Sequence, residues 1–199
     1  MVMTLFLVTF LSASILGFVH SITKEAIDTA KMKEQNDAIK KILPKFTELG
    51  KSWKVTPKEG GDSLEFFPAY NGAEELVGVA AKTYSKKGFG GLIQMMVGFK
   101  PDGTISGYQV LDHKETPGLG SKMVSWFNNP DKPKQDVIGK NPGTTNFTVS
   151  KDGGDIDAIT ASTITSRAFL EAIRRAYETY KDSIPQKQNQ YQKSEGGSR

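Results

Sequence analysis

The first 23 residues contain no Asp, Glu, Lys or Arg. This one feature limits the chain more than any average composition does. From Val2 to Ile22 the run is 21 residues long, and a helix of that length spans about 31 Å, the hydrocarbon thickness of a bilayer. A buried core helix would carry its polar residues as a stripe. Here Thr4, Thr9, Ser12, Ser14 and Gly17 form no stripe. A cleaved signal peptide is the competing reading, but its apolar core is ordinarily shorter and leads into a small-x-small site, which is not clear after Ile22. The segment predicts a transmembrane anchor, with hydroxyls bonding back along the helix and small residues permitting close helix contact. Orientation stays open. Lys24, Lys31, Lys33, Lys40 and Lys41 all follow the span. Alone, the positive-inside rule would put the C-terminal side in the cytoplasm, but the rule weakens for long translocated domains.

All 26 basic and 22 acidic residues therefore lie in 24–199, a net charge of +4. So mild a surplus does not call for nucleic acid, and no nucleic-acid partner is expected. The chain has no cysteine and two histidines, His20 and His113. That excludes disulfide staples, thiolate zinc sites, a cysteine nucleophile, cysteine-ligated iron–sulfur clusters and a multi-histidine metal site. No metal site is expected.

Residues 23–43 read as a helix, with Ile27, Ala30, Ala38, Ile39, Ile42 and Leu43 near one stripe and Pro44 ending it. It is either a stalk continuing the anchor or the first packed helix of a domain. Strands are predicted at Leu64–Tyr70, at Glu75–Tyr84 with Val77, Val79 and Ala81 on one face, and at Leu92–Lys100 with Ile93, Met95, Val97 and Phe99 on one face. Pro101-Asp102-Gly103 turns the chain into a return strand, Thr104–Asp112. Phe147–Ser150 is a further short candidate. A helix is expected at Ser121–Asn128 and a longer one at Thr163–Asp182, stopped by Pro185 and followed by a polar, disordered tail, 186–199. Strands flanked by helices define an α+β domain with a mainly antiparallel sheet.

Two segments carry possible chemistry. Asp157-Ala158-Ile159-Thr160-Ala161-Ser162-Thr163-Ile164-Thr165-Ser166 leads into the last helix and holds five hydroxyl residues between positions 160 and 166. A helix start offers free N–H groups and a positive dipole end, so small hydroxyl residues there suit a phosphate. An ordinary N-cap by Thr160, Ser162 or Thr163 explains the same composition. The second segment, His113-Lys114-Glu115-Thr116-Pro117-Gly118-Leu119-Gly120, is a loop in which glycine would let backbone approach a flat ligand. It also reads as a plain turn.

Together, in this order and behind a membrane span, these segments resemble the FMN-binding domain family. Within it they are most similar to the G-type subunits of Rnf ion-translocating electron-transport complexes, with the C-type subunits of sodium-pumping NADH:quinone reductases as relatives. The family's acceptor motif runs Asp, Gly or Ala, any residue, Ser or Thr, Gly, Ala, Thr. Asp157, Ala158, Ile159, Thr160 and Thr163 match it, while Ala161 and Ser162 stand where Gly and Ala are usual. The Glu115–Gly120 loop matches the other hallmark throughout. The resemblance implies FMN joined through its phosphate to Thr163, with Thr160, Ala161 and Ser162 around it. It also implies that Thr116, Gly118 and Leu119 lie beside the ring or ribityl chain, with Glu115 orienting their loop. Arg167 is expected to be a solvated charge. The implied organisation is an anchor (1–23), a juxtamembrane helix (24–44), an FMN-binding domain (45–185) and the tail. The implied partners are integral-membrane and flavin- or iron–sulfur-carrying subunits, membrane lipid and a flavin transferase. The implied location is the bacterial inner membrane, with the domain on the periplasmic side. A non-redox, membrane-anchored binding module is the reading from a different class.

Overall fold

The computed structural model describes residues 1–195, with side chains described through Ser183 apart from those of Glu25 and Asp28. The chain falls into two compact units, Met1–Asp37 and the remainder from Ala38. The first unit is helical from Val2, as the start of α1 (Val2–Ile42). Within it, Val2–Lys24 is long and apolar enough to cross a membrane, and its apolar side chains are exposed. Thr9 and Thr23 donate their hydroxyls back to the carbonyls of Leu5 and Val19 at 3.0 and 2.7 Å, which hides polar groups that lipid could not solvate. Ile27 and Ala30 are also exposed, so the apolar stripe expected over 23–43 is buried only from Ala38 onward.

The second unit is built on an antiparallel sheet: β1 (Glu48–Leu49), β2 (Trp53–Val55), β3 (Leu64–Tyr70), β4 (Leu76–Gly88), β5 (Gly91–Phe99) and β6 (Ile105–His113). The order is β1-β3-β4-β5-β6, and β2 pairs with β3 alongside β1. The sequence reading missed β1 and β2. They form one interrupted edge strand, and the interruption falls near Pro68, whose carbonyl accepts from Gly50 N–H at 2.9 Å. Proline offers that edge no N–H of its own, so the ladder breaks there.

Alternation along the strands makes two apolar faces. Phe66, Ala81, Met95, Val97 and Phe99 belong to the larger core cluster. Phe67, Ala80 and Met96 belong to the smaller one, with Ala38, Ile39, Ile42 and Leu43 from the end of α1. One expected face is split: Val79 and Ala81 join the larger cluster, but Val77 packs against the smaller. A register shift at Ala69/Tyr70 turns the start of β4 over, as an extra residue does in a period-two strand. The larger face is covered by α3 (Thr163–Glu195), through Phe169, Ala172, Ile173, Ala176, Tyr177 and Tyr180. Thr83 of β4 donates its hydroxyl to the Ala172 carbonyl at 2.9 Å, so strand and helix share a buried bond.

Two further expectations are corrected. Phe147–Ser150 is not a strand: it makes a single bridge, Val149 to Ile156, and its apolar residues plug the core from a loop. The N–H that Pro185 lacks does not end α3, whose backbone runs on to Glu195 through most of the segment read as a disordered tail. Residues 196–199 of that tail lie outside the described residues. The expected Ser121–Asn128 helix is shorter, a 3-10 turn at Gly120–Lys122 leading into α2 (Met123–Trp126).

Burial pushes the Tyr180 phenol up to about 12, and its hydroxyl has no hydrogen-bond partner among the described residues. A buried unpaired hydroxyl is a cost without a return. Tyr180→Phe should therefore leave stability unchanged or raise it by up to about 1 kcal/mol in denaturant unfolding of the full chain. A loss of more than that would show a missing partner.

Candidate functional site

Both chemistry-bearing segments meet at one end of the sheet. Phe89 at the tip of the β4–β5 hairpin, Glu115, Thr116, Leu119 and Gly120 after β6, and Ala161–Thr165 at the start of α3 line a cleft of about 340 Å³. That is at the small end for a cofactor site, and suits a ring system left partly open to solvent.

Glu115 holds the site together. It is 5% exposed. Its Oε1 accepts from Gly90 N–H at 2.9 Å, and its Oε2 accepts from the Thr165 hydroxyl at 2.5 Å. Its own N–H donates to His113 Nδ1 at 3.2 Å, so that histidine is an internal acceptor of the loop. Hairpin, loop and helix are thereby joined at one carboxylate. Glycines make the room: a Cβ on Gly88 would lie 2.5 Å from Glu115 Oε1, and one on Gly120 would lie 2.7 Å from Thr165 Oγ1. By sequence, Gly88-Phe89-Gly90-Gly91 reads as a turn before a strand and Thr165 as one of the five hydroxyls before the last helix, and neither reading links them to Glu115. The available signal was a buried-type loop carboxylate needing donors that only long-range contacts supply.

The turn beyond Glu115 is closed by Leu119 and Ser121 N–H groups on the Thr116 carbonyl, at 3.2 and 3.3 Å. Gly118 occupies left-handed backbone at φ +75° and donates to Ser121 Oγ at 3.0 Å. Gly118 therefore shapes the turn without lining the cleft. Behind this turn, Tyr108 of β6 donates its hydroxyl to the Met123 carbonyl at 2.9 Å. Its ring meets Phe169 of α3 edge-on at 4.9 Å. Burial raises that phenol far above its ordinary value.

At the helix start, Thr163 is the first residue of α3 and is half-buried, Ser162 is buried, and Thr160 and Ala161 are exposed. Thr160 does not line the cleft. Thr160, Ser162 and Thr163 make no side-chain capping bond among the described residues; Ser166 Oγ instead ties the preceding loop to the first turn, accepting from Ile159 N–H at 2.9 Å and donating to the Ser162 carbonyl at 3.0 Å. Tied by Ser166, the loop leaves the Thr163 hydroxyl free of any hydrogen-bond partner among the described residues. Ala161 has φ +61°, a conformation that costs a residue with a Cβ about 1 kcal/mol or more. This explains why the motif it resembles carries Gly there. Ala161→Gly should stabilise the chain by up to about 1 kcal/mol in denaturant unfolding. A destabilised variant would show the strain to be absent.

Arg167 is not simply solvated. It forms a bidentate pair with Asp152, at 2.7 and 2.8 Å, and this hydrogen bonding holds the Asp152 carboxyl below its ordinary range. Asp155 and Asp157 are likewise committed to the loop, Asp155 accepting from Asn146 N–H at 2.8 Å and Asp157 from the Ser150 hydroxyl at 2.5 Å.

Residues 88–178 match the family model described as FMN-binding domain, and every residue lining the cleft falls inside that span. Fold and site thus define a protein with an FMN-binding domain behind a membrane-spanning helix. The chain is 31% identical over 186 residues to the G subunit of the ion-translocating oxidoreductase complex of Erwinia tasmaniensis, covering 88% of this chain and 85% of that one. It is 31% identical over 183 residues to the G subunit of Salmonella typhi, covering 87% and 86%, and 29% identical over 191 residues to that of Aliivibrio fischeri, covering 87% of each. The chain belongs to the family of G subunits of ion-translocating oxidoreductase complexes. A crystal structure of Shewanella oneidensis NqrC overlaps 63% of this chain and 61% of its own, with 23% identity and a TM-score of 0.40.

Proposed function

We propose that the chain is a single-pass flavoprotein subunit of an Rnf-type ion-translocating ferredoxin:NAD oxidoreductase complex, relaying electrons through FMN esterified by its phosphate to Thr163. One observation carries this reading: a free hydroxyl on the first residue of a long helix, in the wall of an apolar-rimmed cleft. A phosphodiester at that hydroxyl would sit where helix N–H groups and the dipole offset its charge. Ala161 and Ser162 are small enough to leave it room. Leu119, Phe89 and Ile164 would flank the ring, Thr116 and the Gly118 turn would set the loop beside it, and Glu115 would hold that loop. When bound, the isoalloxazine supplies reversible electron uptake, which no side chain here provides.

Attachment forms an Oγ–P bond, releases the Thr163 hydroxyl proton and displaces a leaving group from phosphorus. It therefore needs an activated flavin nucleotide. Glu115 is the one carboxylate among the lining residues, and both its oxygens are engaged. A separate flavin transferase fits that arrangement. Val2–Lys24 would anchor the chain in the lipid of the bacterial inner membrane and contact integral-membrane partners, with the domain on the periplasmic side. The G-type relatives favour the Rnf complex over the C-type position in a quinone reductase, and the FMN-domain match speaks against a non-redox module. The test is co-expression with a flavin transferase and mass analysis of the peptide containing Thr163. The expected result is a mass increase equal to FMN less water. An unmodified peptide in a preparation that takes up no flavin would sink the proposal.

A further inference from the structure

Among the described residues, Glu115 is the one buried side chain of the Asp, Glu, Lys and Arg class, and it stands in the wall of the cleft. No ion pair among the described residues includes it. Its carboxylate is held only by the Gly90 N–H and the Thr165 hydroxyl. Charged groups on the elements packed around it are engaged elsewhere or face water. On the hairpin, Lys86 pairs with Asp62 at 2.9 Å and Lys87 lies 3.6 Å from Glu171. On α3, Arg167 pairs with Asp152. Around its own loop, Asp112, Lys114 and Lys122 are exposed, and His113 meets the Glu115 backbone N–H through Nδ1. Joining three elements at this point requires no charge. A neutral amide could accept one of the two bonds and donate the other. Taking a carboxylate out of water without a counter-ion is costly. The fold bears that cost at the one place where a redox cofactor would feel the charge.

We infer that the Glu115 carboxylate sets the reduction potential of the flavin, holding it below the value that a neutral wall would give. The inference rests on the flavin reading above. The cleft is about 340 Å³, so a ring seated in it lies close to this charge, and a buried charge is screened far less than an exposed one. Electrons delivered to the ring by the donor group of the oxidoreductase enter beside a fixed negative charge, which disfavours their uptake. The oxidised ring is neutral and is affected much less. No bond to Glu115 forms or breaks in this step. Its effect ends only where the carboxylate itself takes up a proton.

Spectroelectrochemical titration of the full-length, flavin-carrying chain tests this, with Glu115→Gln beside the parent. At neutral pH the flavin of the Gln variant should be easier to reduce. The reduction equilibrium should shift by about tenfold or more, which is about 30 mV for a two-electron couple. As pH falls into the range where carboxylates take up protons, the parent's potential should converge on the variant's, because the protonated acid carries no charge. An unchanged or lower potential in the Gln variant at neutral pH would overturn the inference while leaving the flavin reading intact. So would a shift of the same size at every pH, which marks a rearranged cleft. If the variant loads no flavin, the parent decides alone. Its potential should rise relative to that of free riboflavin as pH falls through the same range, and a constant gap would overturn the inference. A parent that carries no covalent flavin would remove the flavin reading itself, and this inference with it.

Discussion

Thr163→Val should abolish denaturant-stable flavin fluorescence in a chain co-expressed with a flavin transferase. The substitution keeps the branched shape and removes only the hydroxyl, so the cleft and the helix start persist while the Oγ–P bond has no acceptor. Val is tolerated at this half-buried position because the Thr163 hydroxyl makes no hydrogen bond within the protein among the described residues. Unfolding of the full chain should therefore shift by less than about 0.5 kcal/mol. Thr163→Ser should keep the label, and Thr160→Val, three residues upstream and outside the cleft lining, should keep it too. Fluorescence persisting in Thr163→Val would move the attachment to another hydroxyl, with Thr160 and Thr165 the first to examine.

Glu115→Ala should have the largest effect on the fold around the site. It strands the Gly90 N–H and the buried Thr165 hydroxyl, two donors on separate elements. Losing an acceptor shared by a buried hydroxyl and a half-buried N–H costs about 2–3 kcal/mol. Glu115→Gln should be far milder, about 1 kcal/mol, because its carbonyl oxygen can accept from Gly90 while its amide donates to a reoriented Thr165 hydroxyl. Denaturant unfolding of the full-length chain measures both, and flavin loading should fall in the same order. Equal stability of the Ala variant and the parent would show that Glu115 does not join the three elements.

The safest sequence readings were those with strong periodicity. The β5 face of Ile93, Met95, Val97 and Phe99 is buried as expected, and so is the α3 stripe from Phe169 to Tyr180. The failures have local causes acting at a distance. Val77 changed face through a bulge set by pairing with β3. Phe147 and Val149 are buried without strand partners, a case that apolar character alone cannot tell from a strand. The capping bond expected of Thr160, Ser162 or Thr163 is not made among the described residues, because the loop folds back on the helix and is tied there by Ser166 accepting from Ile159 N–H.

By itself, the sequence determined the anchor, the α+β class and the two segments that meet at the site. Charge-free length, period-two alternation and turn residues act within a few positions and can be read along the chain. The tertiary structure alone decided that Glu115 is the junction, that Thr165, Gly88 and Gly90 belong with it, and that Gly118 and Thr160 stand outside the cleft. The Glu115–Thr165 bond joins residues 50 positions apart. The need to satisfy a buried carboxylate can be read locally, but the donors that meet it come from whichever elements the sheet and α3 bring together.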